Sequence, residues 1–173
     1  MKRGQIWISA VLYIALGVML ITIVLAAGVP LVEKLRDRNT LLQTKELMYA
    51  IDDNIKTVAT EGTGSKRFLS PLNIDKGELI IDEKSDEIIW RTRTHYKAME
   101  SGIDFREGAL ILSSQETNIE DEFLLMIKLA YSSLANITLD SQFDNPFVGT
   151  YSLLIEHTGG YNNDIPVVRL NIK

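Results

Sequence analysis

From Gln5 to Val32 the chain presents 28 residues without one charged side chain, nearly all of them apolar. An α-helix rises about 1.5 Å per residue, so this run makes roughly 42 Å, more than the ~30 Å hydrocarbon core of a bilayer. It is long enough to span a membrane. The apolar run of a removed secretory leader is typically about 7 to 15 residues, so the pattern predicts a helix that is retained, although Ala26-Ala27-Gly28 mimics a cleavage site. Beyond Val32 the helical period persists. Leu31, Leu35, Leu42, Met48, Ile51, Ile55 and Val58 recur at steps of three, four or their sums, with Glu33, Lys34, Arg36, Asp37, Arg38, Lys45, Glu46, Asp53 and Lys56 on the other faces. The stripe is broken near Arg38 and Asn39, where a frayed turn or an exposed patch is expected. Gly62-Thr63-Gly64 supplies stop signals, so one helical element is expected from about Ile6 to about Thr60. Pro30 lies inside it. Its ring clashes with the preceding turn and it lacks the N–H that would bond back to the Ala26 carbonyl, so a helix kink is expected there.

After Gly64 the period changes to two, in short runs separated by turn residues. Glu78 to Asp82 and Glu87 to Thr94 flank Glu83-Lys84-Ser85-Asp86 and read as a hairpin. Ala109 to Ser113, Phe123 to Ala130, Ala135 to Leu139, Tyr151 to Glu156 and Val167 to Ile172 read as further strands, the last two joined by a turn-rich connector from Thr158 to Asp164. Leu124 to Leu129 is short enough to be a helical turn instead. About seven strands with regular turn signals suggest an antiparallel sandwich or a partly closed barrel. The expected fold class is therefore α+β: a long N-terminal transmembrane and amphipathic helix, then a mostly antiparallel, β-sandwich-like domain. The organisation reads as a basic leader at 1–4, an apolar helix at 5–32, its amphipathic continuation at 33–62 and a β-rich extracytoplasmic domain at 63–173.

Charge narrows the partners. Of 18 basic residues, only Lys2 and Arg3 precede the apolar run, whereas all 23 acidic ones follow it. The domain is thus acidic and a poor match for nucleic acid, whose binding rests on Lys and Arg neutralising phosphates. The chain has no cysteine, which excludes disulfides, thiolate nucleophiles and cysteine metal sites. His95 and His157 fall at separate strand ends and read as solvated or edge residues, with no metal-ligand spacing around them. Asp82, Glu83, Asp86 and Glu87 cluster at the hairpin turn but lack the alternating oxygens and central glycine of a calcium loop, so a solvated tip is expected. No metal, cofactor or catalytic residue is expected, and an enzyme is not. Asn136-Ile137-Thr138 is the one N-glycosylation sequon, which makes Asn136 a candidate acceptor.

Within the apolar helix, Trp7 suits a membrane interface. The small residues Ser9, Gly17 and Gly28 allow close helix approach; together with Ile6, Tyr13 and Leu20 they are the candidate packing and assembly positions.

The opening Lys2-Arg3-Gly4-Gln5-Ile6-Trp7-Ile8-Ser9, followed at once by the apolar helix, resembles the class III signal of archaeal type IV pilins and pilin-like proteins. The resemblance covers Lys2 to about Arg38. It implies that a prepilin-type peptidase reads Lys2 and Arg3 as the leader and cuts between Gly4 and Gln5 on the cytoplasmic side. The helix would then anchor the precursor in the membrane and later pack among copies of itself in a surface filament, built by an assembly machinery, with adhesion as an implied role. One departure stands out. Many type IV pilins carry glutamate at the fifth residue after the cut, where this chain has Ser9. The alternative expectation is a single-span tether for a β-sandwich binding domain that does not polymerise, or a minor or priming pilin. Lys34, Arg36 and Arg38 after the helix nominally favour a cytoplasmic domain; large domains, however, translocate largely regardless of flanking charge, so an outside domain is expected.

Overall fold

The computed structural model of the chain describes residues 3–173, with side chains described from Ser9 onward. Its architecture is α+β: one helix, α1 (Arg3–Glu61), followed by eight strands that hydrogen-bond into a single sheet. The strands are β1 (Lys66–Asp82), β2 (Glu87–Thr94), β3 (Phe105–Glu107), β4 (Leu110–Glu116), β5 (Phe123–Ala130), β6 (Asn136–Ser141), β7 (Phe147–Asn162) and β8 (Ile165–Ile172). Their order across the sheet is β3-β4-β5-β2-β1-β7-β8-β6, antiparallel at every pair except β6 with β8. The chain divides into two compact units, with the boundary between Asp37 and Arg38.

In the second unit, the helix period and the strand period meet in one core. Met48, Ile51, Ile55 and Val58 recur on one face of α1 and are fully buried. They share a cluster with alternate residues of the strands: Leu72, Leu79 and Ile81 of β1, Ile88 and Trp90 of β2, Leu110 and Leu112 of β4, Leu125, Ile127 and Leu129 of β5, and Leu153, Ile155, Val168 and Leu170 of β7 and β8. The apolar face of this sheet is covered by the helix, which replaces the second sheet that a sandwich would require. Each of those large side chains contributes about 1.5–3 kcal/mol by leaving water.

Polar ties fix the helix on the sheet. Asp52 is buried on the same face and accepts from Lys56 Nζ (2.6 Å) and from the Tyr131 hydroxyl (3.3 Å). Burial, with the Asp52 charge second, pushes the Tyr131 hydroxyl well above the usual tyrosine range and keeps it a donor. A turn earlier, Lys45 pairs with Glu107 of β3 and the Tyr49 hydroxyl donates to the Glu107 carbonyl (2.9 Å).

Boundaries agree with the sequence reading in places and differ in others, for local reasons. Of the two expectations at Arg38 and Asn39 the exposed patch holds: both residues are exposed and the helix is unbroken, with no frayed turn. As expected of a single element, the helix runs on through Pro30. It stops at Glu61, where Gly62 and Gly64 take the left-handed conformation (φ 91° and 86°) that glycine reaches without steric cost. Phe123–Ala130 is the strand its span predicted rather than the alternative helical turn, and pairs with β2 and β4 along its length. The Thr158 to Asp164 connector is mostly strand. A register shift between His157 and Tyr161 absorbs the glycines, and the reversal needs only Asn163 and Asp164, both left-handed (φ 50° and 65°), as a tight hairpin turn requires.

Candidate functional site

The chemistry-bearing clusters of the sequence resolve into structural roles. The β1–β2 turn is a solvent-exposed tip, as expected, but its carboxylates are also bonded. Asp82 accepts from the Ser85 hydroxyl (2.8 Å) and the Lys84 N–H (3.0 Å), and these bonds hold its carboxyl below the usual aspartate range. Asp86 reaches the edge strand β6 and accepts from the Ile137 N–H (2.7 Å) and the Asn136 amide (3.3 Å); Glu83 accepts from the Leu139 N–H (2.6 Å). The outward N–H groups of an edge strand invite pairing with another chain, and here acidic side chains occupy two of them. Asn136, the sequon asparagine, lies in this strand with its amide engaged by Asp86.

His95 is exposed, its Nδ1 2.9 Å from the Asp121 carbonyl. His157 is not a solvated residue: it is 1% exposed, its Nδ1 accepts from the Gly159 N–H (3.0 Å) and its ring meets Tyr161 edge-on. The strand alternation that buries Leu153 and Ile155 carries His157 inward on the same face. Trp90 is core, its indole N–H donating to the Lys76 carbonyl (3.0 Å). Among the described residues no three His, Asp or Glu side chains converge to hold a metal ion.

What remains is the surface of α1 in the first unit. Its large apolar side chains, from Val11 to Leu35, are each between 51% and 76% exposed, and the candidate packing residues Tyr13 and Leu20 are among them. Gly17 and Gly28 have open space where a side chain would stand, so at both the backbone is accessible to a close neighbour. The Thr22 hydroxyl donates to the Val18 carbonyl (2.9 Å), which satisfies it inside its own helix. This helix is long and apolar enough to cross a membrane. Of the leader residues, Lys2 lies outside the described residues; Arg3, Gly4, Gln5 and Ile6 lie in the helical backbone, with their side chains outside the description.

The two parts of α1 make a chemical contrast within one element. Past Lys45 a four-residue rhythm of apolar residues is consumed by the chain's own sheet, whereas before Asp37 the apolar surface lies on all sides and the chain covers none of it. Such a surface requires lipid or other protein around it, because exposed apolar area costs about 25 cal/mol per Å2 in water. Sequence reasoning located this surface from the uncharged run alone. It missed the acid-capped edge of β6, whose signal, four carboxylates around a turn, gives no hint of which distant strand they reach.

Comparison of the chain with protein-family models, with curated proteins and with solved structures gives no match.

Proposed function

We propose that the chain is a structural, non-enzymatic subunit of a surface filament resembling archaeal type IV pili. In this reading a prepilin-type peptidase removes the leader between Gly4 and Gln5, and the apolar part of α1 anchors the precursor in the membrane. During assembly that same stretch leaves lipid and packs among copies of itself, with the sheet domain outward.

The observation that carries the reading is the uncovered apolar stretch from Val11 to Leu35, continuous in one helix with a stretch whose apolar face is fully used. In lipid there is no hydrophobic drive between helices, so association there depends on van der Waals contact at small residues such as Gly17 and Gly28. Once outside lipid, the stretch is stable only where neighbours replace the acyl chains. Ser9 at the fifth position after the proposed cut carries no charge to pair with a neighbouring amine, so register in the bundle must come from side-chain packing.

The experiment is mass spectrometry of the N-terminal peptide of the protein isolated from its native cells, with negative-stain microscopy of material sheared from the cell surface. The reading predicts a chain beginning at Gln5 and present in fibres. An intact Met1 and no fibre would favour a simple tether, and a start near Ala27 would contradict retention of the helix altogether.

A further inference from the structure

The sheet face opposite the helix carries a groove that neither the core nor α1 uses. Register places the outward side chains in rows: Glu78, Arg91, Met126 and Ser113 across β1, β2, β5 and β4, and next to them Arg93, Leu124 and Gln115. At the end of these rows a groove of about 390 Å3 is lined by Glu78, Arg91, Arg93, Thr117, Leu124 and Val148. That volume falls in the range of small-molecule sites, roughly 300–1,000 Å3.

The two arginines differ. The Arg91 guanidinium is taken by the Glu78 carboxylate. Arg93 makes no side-chain hydrogen bond or ion pair with any described residue, so its guanidinium is the one in the groove not engaged by a carboxylate. The chain as a whole carries a net charge of -5, so its overall field does not draw anions in. An anion must be recognised at close range. A guanidinium matches a planar carboxylate through two parallel N–H···O bonds. Beside it, Leu124 and Val148 give an apolar wall, and the Glu78–Arg91 pair offers an acceptor and donors a short way off. The Thr117 hydroxyl is already bonded to Glu122 (2.8 Å) and contributes shape only. An acid, an apolar flank and hydroxyl-matching groups in that order are the chemistry of a carboxylated sugar.

We propose that this groove binds a hexuronic acid, its carboxylate on Arg93 and its C–H face on Leu124 and Val148. Every residue involved lies between positions 77 and 148, so the inference stands whether or not the apolar helix forms filaments.

The test is two-dimensional NMR titration of the full chain in detergent micelles with sodium glucuronate, with glucose and sodium phosphate as separate arms. The expected result is saturable shifts of the amides around Arg93 and Leu124 with glucuronate, at a millimolar Kd, weakened roughly tenfold or more by Arg93→Ala and little by Arg106→Ala. Arg93→Gln, which keeps the length and polarity of the side chain, should lose binding in the same way, and the spectrum of each variant reports whether it is folded. Absence of saturable shifts, equal binding of glucose, equal binding of phosphate, or an unchanged affinity in a folded Arg93 variant would each overturn the proposal.

Discussion

The carboxylate of Asp86 joins elements fifty positions apart. It is left-handed (φ 55°) at the end of the β1–β2 turn, and from there one oxygen takes the Ile137 N–H and the Asn136 amide of an edge strand. Removing it leaves a backbone donor of β6 without its charged acceptor, a loss of about 1–3 kcal/mol. Asp86→Ala should therefore lower the thermal midpoint of the full chain in detergent micelles by several degrees, measured by circular dichroism, while Glu100→Ala, an exposed helix-style pair with Lys97, should leave it unchanged. The acidic cluster was visible in the sequence, but its purpose was not. Asp82 and Asp86 are four positions apart and look alike on paper; one bonds to its own turn and the other to β6, a choice that only the return of the chain after Tyr131 decides. His157 carries the same lesson. A histidine after Leu153 and Ile155 falls on the inward side by simple alternation, yet reading the strand as ending at Glu156 hid that parity.

At the scale of the element, α1 has two environments. Met48, Ile51, Ile55 and Val58 form the seam on the sheet, and the sequence placed all four on one face from their spacing. Their partners were less legible. Most strands were recognisable, with β2 and the span of β5 read to the residue, but only Glu78 to Asp82 of β1 and the middle of β7 were seen, and β3 has only three residues and no alternation to reveal it. Strand order was hidden too. The parallel pair of β6 with β8 arises from contacts that the local pattern does not encode. The division of the helix leads to a paired expectation. Ile55→Ala empties a fully buried site and should cost about 2–5 kcal/mol of domain stability. Leu20→Ala removes a side chain 55% exposed in the chain alone and should leave the unfolding of the sheet domain unchanged. Circular dichroism melts of the two variants in the same detergent measure the difference directly; equal losses would mean that the first part of α1 is also packed by its own domain.

For the molecule as a whole, what surrounds the uncovered part of α1 decides its behaviour. In the second unit the helix seam is buried, the edge of β6 is capped, and the turn carboxylates are bonded. An uncovered apolar surface extending from Val11 to Leu35 requires lipid or other protein around it. The natural absence of cysteine makes those partners measurable, since a single introduced thiol has no other thiol in the chain to react with. The most direct measurement is oxidative crosslinking on intact native cells expressing Leu20→Cys, with Lys128→Cys on the sheet as the comparison. Packing among copies predicts covalent dimers from Leu20→Cys in the sheared surface fraction and few from Lys128→Cys. Monomers alone from Leu20→Cys, with the protein present and its membrane anchor intact, would contradict the claim that this helix finds its cover in copies of itself.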